Sequence, residues 1–269
     1  MAQHVANIPS IQIDGNVLNN VDSFKYLGST ISSNVSLDSE LTSRIGKAAG
    51  VMSKLTKRVW TNRLLTNHTK LRVYSACVLS TLLYGAEVWT LYTKQEKRLN
   101  SFHLRCIRRI LGISWQEQMP DTEVLEKAKM TSIYAMLRQR RLRWIGHVNR
   151  MPNHRLPRMM LYSELAKGVR QTGRPLLRFK DVCKNDLREA GIGKDHWQQC
   201  SLDRDNWRHL VSTGVQAAEK RRIENLKEKR YKRKNHQLDP TNFICPLCSR
   251  DCHSRIGLHS HTRHCIVPQ

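Results

Sequence analysis

Acidic residues are scarce in this chain: 22 Asp and Glu stand against 46 Lys and Arg in 269 residues, a formal net charge of +24. Such an excess repels itself unless an anionic partner relieves it, and the commonest such partner is a phosphate backbone. The shortage of acid is concentrated. Arg138 to Arg178 holds eleven basic residues and one acid, Glu164, and Ala217 to His236 holds nine basic residues and three acids. Long apolar runs are also missing. The most apolar stretch, Val73 to Leu83, is interrupted by Ser75, Ser80 and Thr81 and falls short of the ~20 residues that a membrane helix needs, so no membrane segment is expected. The first 30 residues have no basic start followed by an uninterrupted apolar core, as a secretory signal would. Disulfides, which belong to oxidising compartments, are therefore not expected. The expected setting is intracellular. Because the second basic block also reads as an import signal, the nucleus ranks ahead of the cytoplasm.

Four of the eight cysteines lie in the last stretch, Cys245, Cys248, Cys252 and Cys265. Cys245 and Cys248 are separated by two residues, twelve residues separate Cys248 from His261, and Cys265 lies four positions beyond His261. That spacing lets a hairpin supply two thiolates and a short helix supply two further ligands from one face, closing a tetrahedral site around Zn2+. The expected ligands are Cys245, Cys248, His261 and Cys265. In the two-Cys, two-His finger pattern the second helix ligand follows the first after three to five residues. Cys265 meets that spacing, and His264, after two, is the alternative. Cys252 and Leu258 occupy the positions where such a finger buries its small core and are read as packing.

The preceding chain changes character along its length. Ile11 to Val17 alternates about Asp14-Gly15, a hairpin signal, and a further short strand is expected from Phe24 to Ile31. Leu37, Leu41, Ile45, Ala48, Met52, Leu55 and Val59 then recur at steps of three or four, the stripe of an amphipathic helix. Leu71 to Trp89 is apolar on nearly all sides, as for a helix buried among others. Leu99, Phe102, Cys106, Ile107, Ile110 and Leu111 mark a third helix, and Cys77 and Cys106 are read as core residues. Asp121 is placed to cap a helix from Thr122 to about Val148, one face packing while the other meets phosphate. Met151-Pro152 and Gly173-Arg174-Pro175 are turn-rich joints. A helical piece is expected from Phe179 to Ala190, a small unit around Trp197 and Trp207 ending near Val211, an exposed charged helix across the second basic block, and a linker from His236 to Thr241.

Several segments resemble, in this order, the C-terminal part of the polyprotein of non-LTR (LINE-type) retrotransposons. They are Val21 to Gly28, Leu83 to Trp89 with Tyr84, Gly85 and Glu87, Arg141 to Met151 with Trp144, Gly146 and His147, Gly173-Arg174-Pro175 with Lys180-Asp181, and Asp203 to Arg208 with Trp207. The terminal finger fits the same place, so the resemblance spans nearly the whole chain. It implies a palm-edge hairpin and thumb-like helical bundle in residues 1–112 and a basic helical linker region in 113–211. A charged helix or linker in 212–238 and a zinc finger in 239–269 complete the expected order. The fold class expected is mainly α, with a short N-terminal β-hairpin and a ββα-like tail.

The family's polymerase site requires paired aspartates on the palm to hold two metal ions. No Asp-Asp pair occurs in this sequence, and the resemblance begins downstream of that turn and of the family's endonuclease domain. The chain is therefore expected to bind nucleic acid, RNA or DNA, without polymerising by itself and without a small-molecule substrate. Arg138, Arg140, Arg141, Arg143, Arg150 and Arg174 are the expected phosphate contacts, with Trp144 either packing or serving as a stacking platform for single strands. Glu87 and His147 could carry chemistry, or sit as satisfied residues at helix junctions. A base-reading regulator and a scaffold or decayed fragment are the rival readings; Arg255 is the single strong base reader near the finger helix.

Overall fold

The computed structural model describes residues 10–163, 173, 177–235 and 243–265. The fold is mainly helical, with short hairpins at its N-terminal end. Strands β1 (Gln12–Ile13) and β2 (Asn16–Val17) pair antiparallel, Gln12 opposite Val17. The turn residues Asp14 and Gly15 both take positive φ, 50° and 78°, which suits a two-residue turn that follows the strand twist. The single strand expected from Phe24 to Ile31 is instead a second hairpin, β3 (Ser23–Tyr26) with β4 (Ser29–Ser32). Leu27 and Gly28 turn the chain there at φ 47° and 84°. A leucine at positive φ carries no turn signature, which is why the break escapes a reading of the residues.

Helix α1 (Asp38–Lys54) buries Leu41, Ala48 and Met52, with Leu37, Ile45 and Leu55 half-buried beside them. It also anchors the second hairpin through a buried ion pair. Glu40 lies 2.7 Å from Arg44 Nε and accepts from the Thr30 amide, while Arg44 donates to the Gly28 carbonyl at 2.8 Å and lies 4.5 Å over the Tyr84 ring. After a π-helical turn at Thr56–Trp60, α2 (Asn67–Val73) starts at the Thr66 cap, runs through a second π-helical turn at Tyr74–Leu79, and ends as α3 (Ser80–Leu82).

The apolar run to Trp89 is therefore not one helix: Gly85, at φ 74°, redirects the chain into a 3-10 turn at Ala86–Val88. Cys77, expected in the core, is exposed. Wide turns add a residue per bond and rotate the following faces, so Tyr74, Val78 and Leu79 face inward and Cys77 does not.

Helix α4 (Thr93–Leu111) buries Leu99, Phe102, Cys106, Ile107 and Ile110 as its stripe implies, and stops at Gly112 in the left-handed region. The helix expected from Thr122 to Val148 is two, α5 (Asp121–Ala128) and α6 (Ile133–Asn149). Lys129 turns left-handed at φ 50°, and Ser132 starts α6 by accepting from the Ala135 amide at 3.3 Å. Then follow α7 (Leu156–Tyr162), α8 (Phe179–Glu189), α9 (Trp197–Cys200), α10 (Arg204–Lys234) and α11 (Arg255–Thr262). The two tryptophans do lie in a packed unit, but no break occurs near Val211: α10 continues through it. The expected linker from His236 to Thr241 lies outside the described residues.

The chain divides into two compact units, Met1–Arg222 and Ile223–Gln269. The first has two apolar clusters. One joins α1, α2, α4, α5 and the start of α6; the other joins Leu142 and Ile145 of α6 to Cys183, Leu187, Trp197, Trp207, Val211 and Val215. Helix α6 serves both, which explains its weakly one-sided sequence. Its crossing with α10 is close: a Cβ on Gly146 would stand 2.1 Å from Trp207 Nε1, which donates to the Leu142 carbonyl at 3.0 Å. Among the described residues no helix is long and apolar enough to cross a membrane.

Candidate metal centre and basic surface

The tail begins as a tight hairpin. The Cys245 amide donates to the Arg250 carbonyl and the Cys252 amide to the Phe243 carbonyl, both at 2.9 Å, with Ile244 bridged to Asp251. Ser249, at φ 56°, closes the turn by donating its amide to the Cys245 carbonyl. Ser254 then caps α11 by accepting from the Gly257 amide at 3.0 Å. Gly257 is required by proximity: a Cβ there would lie 2.4 Å from the Cys252 carbonyl oxygen. The glycine thus lets the helix close onto the hairpin that carries the first two thiols.

That closure brings Cys245, Cys248, His261 and Cys265 together, with their ligand atoms all within 4.8 Å of one another. Cys245 Sγ lies 3.8 Å from Cys265 Sγ, and Cys248 Sγ lies 3.0 Å from His261 Nε2. Burial opposes ionisation of Cys245, yet amides of Leu247 and Cys248 directed at its sulfur bring the thiol down to about 7. Burial and hydrogen bonding of its own S–H to the neighbouring sulfurs of Cys248 and Cys245 push Cys265 up to about 12. Three sulfurs and one imidazole so arranged could hold a metal ion. His264 is not in the cluster. One expectation of geometry changes: α11 ends at Thr262, so Cys265 enters from beyond the helix and not from its face. Cys252 and Leu258 are half-buried, in line with packing roles.

The expected phosphate contacts fare unequally. Arg141 is buried: its Nε lies 2.6 Å from Asp186, and its Nη2, which donates to the same carboxylate at 3.1 Å, lies 3.6 Å from Glu96. Burial outweighs the charge of Arg141 and raises the Glu96 carboxyl. A guanidinium enclosed by two carboxylates cannot reach a phosphate, so Arg141 leaves the expected set. Arg138 is drawn to the same Asp186 at 3.4 Å, and Arg140 donates to the Leu83 carbonyl at 3.2 Å. Arg143 is exposed, Trp144 is half-buried with its ring centroid 5.5 Å from that of His147, and Arg150 donates to the Ser201 carbonyl at 2.5 Å. Arg174 lies outside the described residues. Glu87 sits half-buried in the 3-10 turn.

Positions 143, 147 and 150 follow one another at helical spacing along one face of α6. At its end the chain turns into α7, where Arg155 is exposed and Arg158 bonds Asn153 at 2.9 Å. The sequence signal for Arg155 and Arg158 is their place in the acid-poor stretch from Arg138 to Arg178.

The chain is 25% identical over 201 residues, 72% of its length and 71% of the relative's, to F52C9.6 of Caenorhabditis elegans, a protein named as uncharacterised and transposon-derived. The similarity supports a transposon origin. No protein-family model and no solved structure matches the chain.

Proposed function

We propose that this chain is the nucleic-acid-gripping, zinc-binding part of a LINE-type retrotransposon reverse transcriptase polyprotein, and that it does not polymerise alone. The observation that carries the reading is the face of α6 on which Arg143 and His147 are exposed, followed by half-buried Arg150 at the helix end and exposed Arg155 beyond it. Its relative's transposon-derived name and the order of the sequence motifs support the family assignment. The missing Asp-Asp pair supports the absence of polymerase chemistry.

Zinc fits the tail's donor set. A tetrahedral ion with sulfur bonds of about 2.3 Å separates two sulfurs by roughly 3.8 Å, and Cys245 and Cys265 stand 3.8 Å apart. When bound, the ion supplies folding free energy; with four protein ligands no open position is left for chemistry. Base reading by this finger is weak. Residues −1, 3 and 6 of such a helix read bases; here Ser254 is occupied as the cap, Gly257 has no side chain, and Ser260 is short.

A salt series tests the reading. If about five phosphates are neutralised on duplex DNA, log affinity falls against log salt with a slope of −4 to −5, and Arg143→Ala reduces it by roughly one. Unrelated sequences should bind alike. Preference for one duplex sequence, lost on Arg255→Ala, would establish the regulator reading instead, and failure to bind any nucleic acid at low salt would leave the scaffold or decayed fragment.

A further inference from the structure

The corner between α6 and α7 encloses a cleft of about 460 Å³ lined by His147, Arg150, Met151, Pro152, Arg155 and Pro157. Two of the six are arginines, a third is His147, and none is an acid. Most arginines of α6 are satisfied inside the molecule, whereas Arg155 has no ion-pair or side-chain hydrogen-bond partner among the described residues. Partial burial first, and then the nearby charge of Arg204, disfavour the charged form of Arg150. Cations gathered this way repel one another until an anion enters.

The walls are equally informative. Met151, Pro152 and Pro157 present apolar surface, and the His147 ring continues into Trp144. A polyphosphate or a purely ionic partner has no use for apolar and aromatic walls, while a nucleotide has a phosphate and a flat base to place. In a duplex that base is stacked and paired; in a single strand it is free.

We propose that the α6–α7 cleft is a subsite for one nucleotide of an unpaired strand, its phosphate held by Arg150 and Arg155 and its base lying against His147 and the Met151–Pro152 wall. The proposal rests on the nucleic-acid reading above and sharpens it from phosphate gripping to a preference for single strands.

The test uses the full chain and measures binding of a labelled 20-nucleotide poly(dT) strand and a 20-base-pair duplex across a salt series. The variants are wild type, His147→Ala/Arg155→Ala, and Lys229→Ala/Arg233→Ala on α10 as a control. The cleft variant should weaken binding of the single strand by roughly 10- to 100-fold and the duplex clearly less, because the duplex loses the Arg155 phosphate contact but no base contact. Losing Arg155 should also lower the single-strand salt slope by about 0.7. The α10 control should weaken both ligands to a similar degree.

Equal losses on both ligands from the cleft variant would reduce the cleft to an ordinary basic patch and overturn the proposal. Undiminished binding would overturn it while leaving the nucleic-acid reading intact, whereas a wild-type chain that binds neither ligand would sink both. Inorganic phosphate forms the competing arm: if it binds as tightly as the strand and with the same loss in the cleft variant, the base contributes nothing, the cleft is a small-anion site and the strand assignment is wrong. Should the double variant lose its far-ultraviolet spectrum, Arg155→Gln alone gives the answer, since that exposed side chain supports nothing else.

Discussion

Gly146 shows how one missing side chain sets a helix crossing. Replacing it with Ala should cost about 1–3 kcal/mol through overpacking against Trp207, even though Ala is the better helix former. Gly46, in the middle of α1, is the internal control: nothing lies within 4 Å of its hypothetical Cβ, so Gly46→Ala should stabilise by roughly 0.5–1 kcal/mol. Denaturant midpoints of the two variants should move in opposite directions.

His103 offers a second test at this scale. It is fully buried, hydrogen-bonded at Nδ1 to the Tyr74 hydroxyl at 2.8 Å, and burial brings it down to about 4. A histidine held neutral in the folded state binds fewer protons there than when unfolded. Its contribution is therefore complete above about pH 6.5 and is lost as pH falls towards 4, a change of up to about 3 kcal/mol. His103→Gln should flatten the stability profile across that window; an unchanged profile would place the acid sensitivity elsewhere.

At the level of elements, the tail hairpin and α11 each lack a core able to hold them: Ile244, Leu247 and Ile256 point outward, and Cys245 is the one fully buried hydrophobic residue among those described from Phe243 to Cys265. A metal ion held by the cluster would supply what packing does not. The chain should carry close to one zinc ion by elemental measurement, and chelation should remove helical signal belonging to α11. Cys265→Ser should abolish zinc retention far more than His264→Ala; the opposite ranking would move the fourth ligand to His264.

For the molecule as a whole, two units divide the basic surface between them, one through the α6 face and one through the end of α10. With no paired aspartates in the sequence, purified chain should incorporate no nucleotide on any primed template with magnesium or manganese. Incorporation that survives stringent purification would require a carboxylate cluster able to hold two ions. Among the described residues, the Cys and His group of the tail is the one such cluster of metal-ligand side chains.

Spacing and periodicity in the sequence sufficed for the clustering of Cys245, Cys248, His261 and Cys265, the Asp14-Gly15 hairpin and the stripes of α1 and α4, because each depends on neighbours within a few turns of chain. The closure of α11 onto its hairpin is just as local, with Gly257 as its visible sign. Which arginines remain available was not local. Arg141 looks like Arg143 in the sequence, but α8 brings Asp186 and α4 brings Glu96 against it from forty-five residues away on either side, and burial beside two carboxylates removes it from solvent. The division of one long apolar pattern into α5 and α6 followed from Lys129 accepting a left-handed turn, and the exposure of Cys77 from a π-helical turn that rotated its face. Local chemistry wrote the elements and the Cys and His cluster; only packing over distance decided which charges were neutralised inside and which were left exposed.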